Sequence, residues 1–208
     1  MALKLYGIAA SRASRPLWFL QEAGVAYEHI QTDYRTAQSR TPEFLQLNAN
    51  GHIPVLDDDG VIVWESMACS LYLARKYATH AGLNLGAQNL QEEAQLLRWS
   101  FWTVTEVEKD ALTVLMHRRV MPVEKRDANF AEAAEKRLKV PLRVLDTHLK
   151  KNAYIAAERF TVADINVASV LAWIRPAPEL IEQFSSVLSW LQLCLARPAQ
   201  QRVREMAR

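Results

Sequence analysis

Apolar residues are spaced differently in the two parts of the chain, and this spacing predicts two kinds of structure. Residues 3–6 and 27–31 have the pattern of strands, and the apolar stretch 16–23 between them has a helical pattern. Beyond residue 90, apolar positions recur at three- and four-residue steps, which is typical of long amphipathic helices. The sequence therefore predicts an α/β first domain followed by an all-helical second domain.

Turn and capping residues complete the first domain. Thr41-Pro42 predicts a short helix with threonine as its N-cap and proline at its first position. The apolar runs 55–57 and 61–64 flank Asp58-Asp59-Gly60, which is typical of a β-hairpin turn. With a helix over 66–77, the expected order is β-α-β-α-β-β-α, which resembles that of thioredoxin-like domains.

We expect the first domain to span residues 1–78, a linker residues 79–89 and the helical domain residues 90–208. A helix over 128–150 should kink at Pro141. The apolar positions that recur along the first long helix of this second domain are Leu90, Ala94, Leu97, Phe101, Val104, Ala111 and Leu115. The stretch Thr161-Val162-Ala163-Asp164 is a variant of the capping box and predicts the start of a further helix.

Composition and charge exclude several classes of protein. The chain has 208 residues, of which half are apolar and 23% charged, so it is neither disordered nor collagen-like. A net charge of +2 gives no reason to expect a nucleic-acid partner. No apolar run approaches the ~20 residues of a membrane-spanning helix, and no secretory leader is visible, so no membrane partner is expected. The isolated Cys69 and Cys194 argue against a metal site and fit a reducing cytoplasm.

Two short motifs carry the candidate chemistry. In Ile53-Pro54 the proline opens a strand and holds the preceding residue extended, so the backbone N–H and C=O of Ile53 are available to pair with a peptide. Glu65-Ser66 lies where a strand gives way to a helix, and the hydroxyl and free N–H groups there favour an anion. Together the motifs suggest a small peptide ligand.

This arrangement resembles the glutathione-binding segment of the glutathione transferases. Leu5-Tyr6, Gly51 to Leu56, Glu65-Ser66 and Phe160 to Ile165 stand in the order and spacing of that family. The resemblance implies a thioredoxin-like domain followed by an all-helical domain, in a cytoplasmic enzyme of the bacterial, theta-like serine type that forms a homodimer. Such an enzyme conjugates the glutathione thiolate to small, largely apolar electrophiles, with glutathione as co-substrate and no cofactor.

The resemblance also assigns roles to residues of the glutathione site. Ile53 would pair through its backbone with the cysteinyl unit, with a cis bond before Pro54. Glu65 and Ser66 would hold the γ-glutamyl end. His52 stands where many members of the family carry Lys or Gln to meet the glycyl carboxylate, and Ser39 occupies a further position used in theta-like sites.

Ser11 is the first candidate for activation of the thiol. A hydroxyl that donates to sulfur favours the thiolate, which is the nucleophile. Ser14, which also suits a helix cap, and Tyr6, which occupies the place of the catalytic tyrosine of other classes, are the alternatives, as is activation without any side chain. The beta-class cysteine would align with Arg12, so that nucleophile is missing. Arg12 and Arg15 either add positive potential near the sulfur or face solvent.

The second substrate is expected between the domains, against the first long helix of the second domain. Its candidate residues are Trp102, Thr105, Glu106 and Lys109, whereas Trp99 and Phe101 are expected in the core. Two alternative functions stay open: a non-catalytic, glutathione-transferase-like regulatory or binding protein, and a glutathione-dependent reductase or dehalogenase. The intact Ile53-Pro54 and Glu65-Ser66 motifs favour the transferase over the non-catalytic protein.

Overall fold

The computed structural model describes residues 3–79 and 84–207, which form two compact units. One unit comprises residues 1–87 together with 197–208, and the other comprises residues 88–196. The expected fold class, a thioredoxin-like domain with a helical domain, is confirmed. Residues 80–83 of the expected linker lie outside the described residues.

The first unit is built around a four-stranded mixed sheet. Its strand order is β2-β1-β3-β4, with β1 parallel to β2 and antiparallel to β3, and with β3 antiparallel to β4. The strands are β1 (Leu3–Tyr6), β2 (Glu28–Ile30), β3 (Val55–Asp58) and β4 (Val61–Trp64), and the helices that accompany them are α1 (Ser14–Ala23), α2 (Pro42–Leu47) and α3 (Ser66–Lys76). This succession agrees with the order predicted from the sequence.

Local signals act in this unit as the sequence predicts. The Thr41 hydroxyl accepts a hydrogen bond from the Phe44 N–H at 3.3 Å and caps α2. Gly24 ends α1 in the left-handed region, with a φ of 69°, where glycine is favoured because it lacks a Cβ. Leu3 and Leu5 of β1 are buried, whereas Tyr6, on the other face, meets the ring of Phe44 edge-on with centroids 6.2 Å apart.

The C-terminal helix belongs to the first unit, whereas the sequence pattern predicts residues 197–208 as part of the helical domain. This last helix of the chain, Pro198–Met206, packs against α1 and buries Ala199 and Val203. Arg197 forms an ion pair with Glu22 of α1. These contacts depend on side chains far apart in the sequence, so helical periodicity alone did not reveal them.

The second unit is wholly helical within the described residues. Its helices are α4 (Leu90–Trp102), α5 (Glu108–Leu115), α6 (Ala128–Leu149), α7 (Val162–Leu171), α8 (Pro178–Ile181) and α9 (Ser185–Leu195), so that Pro198–Met206 is α10. Every residue of α7 is buried, which places this helix at the centre of the unit. The N–H and hydroxyl of Thr161 both donate to the Asp164 carboxylate, which also accepts from the Trp190 indole, so the predicted capping box is present. α6 continues through Pro141 as a single helix.

The apolar stripe that the sequence predicts along α4 does not face the core of this unit. Leu90 is 82% exposed and Phe101 63% exposed, and Leu97 and Val104 are exposed as well, so the expectation that Phe101 lies in the core is wrong. The buried face carries Leu96 and Trp99 and continues into polar residues. A stripe of apolar residues has the same period whether it faces the core or a solvent-exposed surface, which explains the error.

A buried carboxylate closes the β3–β4 hairpin onto α3. Asp58, at the end of β3, is 1% exposed and accepts hydrogen bonds from Lys76 Nζ at 2.6 Å, Tyr72 Oη at 2.9 Å and Tyr77 Oη at 3.1 Å. Burial by itself raises the pKa of Asp58, but these three donors outweigh it, and the pKa is lowered. The cluster therefore joins the hairpin turn to the C-terminal end of α3 through a charged carboxylate.

Candidate active site

A glycine brings the turn after β1 next to Ile53. Gly7 has a φ of +143°, and a Cβ on it would lie 2.8 Å from the Ala13 Cβ and 3.5 Å from the Ile53 Cβ. No other residue fits this position without strain. The close approach places the turn that carries Ser11 beside the Ile53-Pro54 motif, although the two are about forty residues apart in the sequence.

The Ser11 hydroxyl is held in this turn, before the first residue of α1. Its Oγ donates to the Ile8 carbonyl at 2.7 Å and accepts from the Ala13 N–H at 3.0 Å. Ser11 is half-buried, so a ligand can reach it. Of the alternatives, Ser14 is the first residue of α1 and is half-buried, while the Tyr6 ring packs on Phe44.

The backbone of Ile53 is unpaired within the described parts of the chain. The Ile53–Pro54 peptide bond is cis, as expected. Within residues 3–79 and 84–207, neither the N–H nor the C=O of Ile53 has a hydrogen-bond partner. The loop before it is held together by the buried Asn48, which donates from Nδ2 to the His52 carbonyl at 2.8 Å and accepts from the Asn50 N–H. The His52 side chain is exposed.

Glu65 and Ser66 form the junction between β4 and α3. Glu65 has a φ of 70° and a ψ of 117°, a region that non-glycine residues rarely adopt and that costs about 1–3 kcal/mol. Strained residues of this kind cluster at binding and catalytic sites. The Glu65 carboxylate is exposed, whereas Ser66, the first residue of α3, is buried with 4% exposed. Glu65 thus presents a carboxylate next to the free N–H groups of a helix N-terminus.

Arg15 does not face solvent, which is one of the two alternatives that its place in the sequence leaves open. The side chain is 1% exposed, and its Nη1 donates to the Ser66 Oγ at 2.8 Å. This hydrogen bond joins the first turn of α1, just after Ser11, to the first turn of α3. A charged residue is almost never fully buried without partners, and that rule cannot be applied from sequence before burial is known.

Ser39 and Arg40 lie beside the loop that precedes Ile53. Ser39 is buried in a 3₁₀ turn, Ala37–Arg40, and its carbonyl oxygen would be 2.9 Å from a Cβ on Gly51. Arg40 is exposed and donates from Nη1 to the Asn50 carbonyl at 3.1 Å. The structure therefore puts a cation beside Asn50 and Gly51, the two residues before His52, which the sequence did not indicate.

An open groove of about 430 Å³ lies in the first unit, next to the Ser11 turn. It has apolar and polar walls, and it contains the exposed ion pair between Arg35 and Asp33. The lining residues are Ile8, Ala10, Gln31, Asp33, Arg35, Thr36, Gln38, Met206 and Ala207. None of the four residues predicted to contact the second substrate lines this groove.

The four expected second-substrate residues all lie in the second unit, at and around a π-helical turn. This turn, Thr103–Val107, separates α4 from α5, and such turns are frequent at functional sites. Trp102 is half-buried and meets Trp99 edge-on with ring centroids 5.1 Å apart. The other three, Thr105, Glu106 and Lys109, are exposed.

Comparison with known proteins decides the family. Models of the N-terminal and C-terminal domains of glutathione S-transferase match residues 1–75 and 107–198. Glutathione S-transferase 3 of Zea mays is 32% identical over 209 residues, which cover 96% of this chain and 92% of the relative. This chain belongs to the glutathione S-transferase family. As a glutathione S-transferase, it is an enzyme that conjugates glutathione, and the prediction of an enzyme of this kind is confirmed.

Solved glutathione transferases have the same fold. Glutathione transferase F7 from Populus trichocarpa superposes with a TM-score of 0.89 at 25% identity, and the match covers 100% of both chains. Glutathione S-transferase I from mais, in complex with an atrazine glutathione conjugate, superposes with a TM-score of 0.85 at 27% identity and covers 100% of this chain and 98% of its own. These relatives are plant proteins, so the expected bacterial, theta-like serine type stays a prediction.

Neither a membrane span nor a metal site is found in the described residues of this glutathione S-transferase. No helix there is long and apolar enough to cross a membrane. No group of His, Cys, Asp or Glu side chains among those residues is arranged to hold a metal ion. Cys69 and Cys194 are both buried and form no disulfide, and burial raises the pKa of Cys69 to about 12, which favours the protonated thiol at neutral pH.

Proposed function

We propose that Ser11 activates glutathione bound along Ile53, Glu65 and Ser66, as in serine-type glutathione transferases. The observation that carries this proposal is the position of the Ser11 hydroxyl in a turn packed against Ile53, whose backbone has no partner within residues 3–79 and 84–207. The cysteinyl unit of glutathione pairs with Ile53, and its sulfur then lies on the side of the Ser11 turn.

The two ends of glutathione meet charged groups of the matching sign. The γ-glutamyl ammonium binds the exposed Glu65 carboxylate, and the γ-glutamyl carboxylate binds the hydroxyl and N–H at the start of α3. The glycyl carboxylate binds His52, with Arg40 as an additional cation, and Ser39 lines the same side. These roles are extended from the family resemblance to the observed positions.

The chemical step begins when the thiol of bound glutathione releases its proton to solvent water. A free thiol has a pKa of about 8.5, so most of it is protonated at neutral pH. The Ser11 O–H rotates from the Ile8 carbonyl to the sulfur, while the Ala13 N–H stays on the oxygen and polarises the hydroxyl. Donation to sulfur favours the thiolate, which attacks the electrophilic carbon and forms the C–S bond as the leaving group departs with its electron pair.

The electrophile reaches the sulfur from the groove next to Ser11. Ile8 and Ala10 supply its apolar wall, which suits small and largely apolar substrates. Trp102, Thr105, Glu106 and Lys109 of the second unit remain the predicted further contacts. We also propose a cytoplasmic location, which the lack of a disulfide between Cys69 and Cys194 supports.

A binding assay combined with product analysis tests this function. The protein should be retained on immobilised glutathione and should release the halide of an activated aryl halide with formation of the thioether. Retention without thioether, but with reduction or dehalogenation of another substrate and formation of glutathione disulfide, would favour the reductase or dehalogenase alternative. Absence of retention would contradict the proposed site.

Two substitutions of Glu65 should separate the contribution of its carboxylate to glutathione binding from the effect of its backbone strain on stability. Glu65→Ala keeps the positive φ and loses the carboxylate, so calorimetry should show about tenfold weaker glutathione binding with little change in stability. Glu65→Gly should bind glutathione as weakly as Glu65→Ala does. Its free energy of unfolding should be about 1 kcal/mol higher, because glycine relieves the strain. Unchanged affinity in both variants would remove Glu65 from the site.

A homodimer is part of the proposal, and the exposed apolar stripe of α4 supports it. Leu90, Leu97, Phe101 and Val104 form an apolar surface that a monomer would expose to water. A second copy related by two-fold symmetry would cover it, and two-fold dimers are the commonest soluble assemblies.

Charge placed on the α4 stripe should dissociate this dimer. Sedimentation of the wild type at micromolar concentration should give a dimer, and Phe101→Glu should give a monomer of 23.7 kDa. Leu193→Glu, which places the same charge at an exposed apolar position on α9, serves as the control and should stay dimeric. A wild-type monomer, or dissociation by the control alone, would contradict the predicted interface.

A further inference from the structure

The buried Arg15 guanidinium is a permanent positive charge beneath the proposed glutathione site. Arginine is not deprotonated in proteins, so burial does not neutralise it. Its Nη1 lies 2.8 Å from the Ser66 Oγ, and both side chains are almost fully buried. The charge therefore acts on Ser66 in an environment from which water is largely excluded, where electrostatic interactions are strong.

The hydrogen bond from Arg15 decides how the Ser66 hydroxyl can interact with a ligand. A serine hydroxyl has one proton and two acceptor lone pairs. Because Arg15 occupies a lone pair of Oγ, the oxygen acts as an acceptor on that side, and its proton is free to point toward a ligand. The N–H groups at the start of α3 also lack intrahelical acceptors, so this end of the site offers donors and positive potential.

We infer that Arg15 is a positioning residue that orients the Ser66 hydroxyl as a donor and makes this end of the site selective for a carboxylate over a neutral group. The inference rests on the proposed function, in which the γ-glutamyl α-carboxylate of glutathione binds Ser66. A neutral carboxamide in the same place can still accept a hydrogen bond from the Ser66 hydroxyl through its oxygen, but that bond is not charge-assisted, and the amide carries no charge for the guanidinium behind Ser66 to attract. Arg15 does not touch the ligand but acts through Ser66.

Comparison of two ligands on three proteins tests the inference. The ligands are glutathione and its analogue in which the γ-glutamyl α-carboxylate is an α-carboxamide, and the readout is the ratio of their dissociation constants by calorimetry. We expect the wild type to prefer glutathione by roughly tenfold to a hundredfold, as a hydrogen bond to a charged group implies. Arg15→Met should lose most of this preference. The control Arg75→Met, which removes an exposed cation at the other end of α3, should keep it.

The ratio of the two dissociation constants distinguishes the role of Arg15 from a general loss of structure, because misfolding weakens the binding of both ligands by the same factor. An Arg15→Met protein that binds glutathione with the wild-type preference overturns the inference. If Arg15→Met does not fold, Ser66→Ala in the presence of Arg15 gives the answer, and a retained preference again overturns it. A wild type that binds neither ligand contradicts the proposed function itself.

Discussion

Ser11→Ala is expected to leave glutathione binding nearly intact and to reduce turnover at neutral pH. In the proposed mechanism the hydroxyl stabilises charge on sulfur, and a hydrogen bond to a charged group is worth roughly 1.5–3 kcal/mol. Its loss should raise the pKa of the bound thiol by about one to two, since about 1.4 kcal/mol corresponds to one pKa unit. The thiolate fraction at neutral pH should fall about ten- to hundredfold, partly offset by the greater nucleophilicity of a more basic thiolate.

Ultraviolet titration of the bound thiolate checks this expectation. The same titration on Ser14→Ala and Tyr6→Phe provides matched controls, because both hydroxyls lie near the same turn. If one of these variants shifts the titration and Ser11→Ala does not, the assignment is wrong. If none shifts it, the N–H groups at the start of α1 are the activators.

Asp58→Asn is expected to destabilise the first unit by about 2–3 kcal/mol. Removal of one partner from a buried ion pair costs about 3–5 kcal/mol, and the partial exposure of Lys76 reduces that figure. The neutral amide leaves the ammonium without its counter-charge and offers a single acceptor oxygen to three donors. Denaturant unfolding of both proteins measures the difference.

The stabilisation of the folded state by Asp58 should decrease as the pH falls into the acid range. Since folding lowers the pKa of this carboxyl below its unfolded value of about 3.9, its stabilisation is complete above that pH and is lost as pH falls through the folded pKa. The variant should therefore differ most from the wild type near neutral pH and least in strong acid. Asp59→Asn, in the adjacent exposed turn position, should change neither stability nor its pH profile by much.

Features that depend on neighbouring residues were predictable from the sequence. The Thr41-Pro42 helix start, the Asp58-Asp59-Gly60 turn, the end of α1 at Gly24 and the Thr161–Asp164 cap are each encoded within a few residues. The two motifs of the proposed glutathione site were visible for the same reason, because each lies where a short apolar run begins or ends.

Features that depend on distant contacts were not predictable from the sequence. Arg15 looks like any surface cation until its burial against Ser66 is known. The α4 stripe around Phe101 has helical periodicity, but periodicity does not say what covers it. The groove next to Ser11 is formed by segments from residues 8, 31–38 and 206–207, which only the tertiary fold brings together.

The return of α10 to α1 has a consequence for how this protein is synthesised and dissected. Residues 197–208 leave the ribosome after the whole of 88–196, so the side of α1 with Gln21 and Glu22 stays uncovered while the helical unit is being made. The thioredoxin-like unit thus completes its packing only after the helical unit has been translated. A fragment of residues 1–87, made for labelling or as half of a split reporter, therefore needs residues 197–208 supplied as a separate peptide.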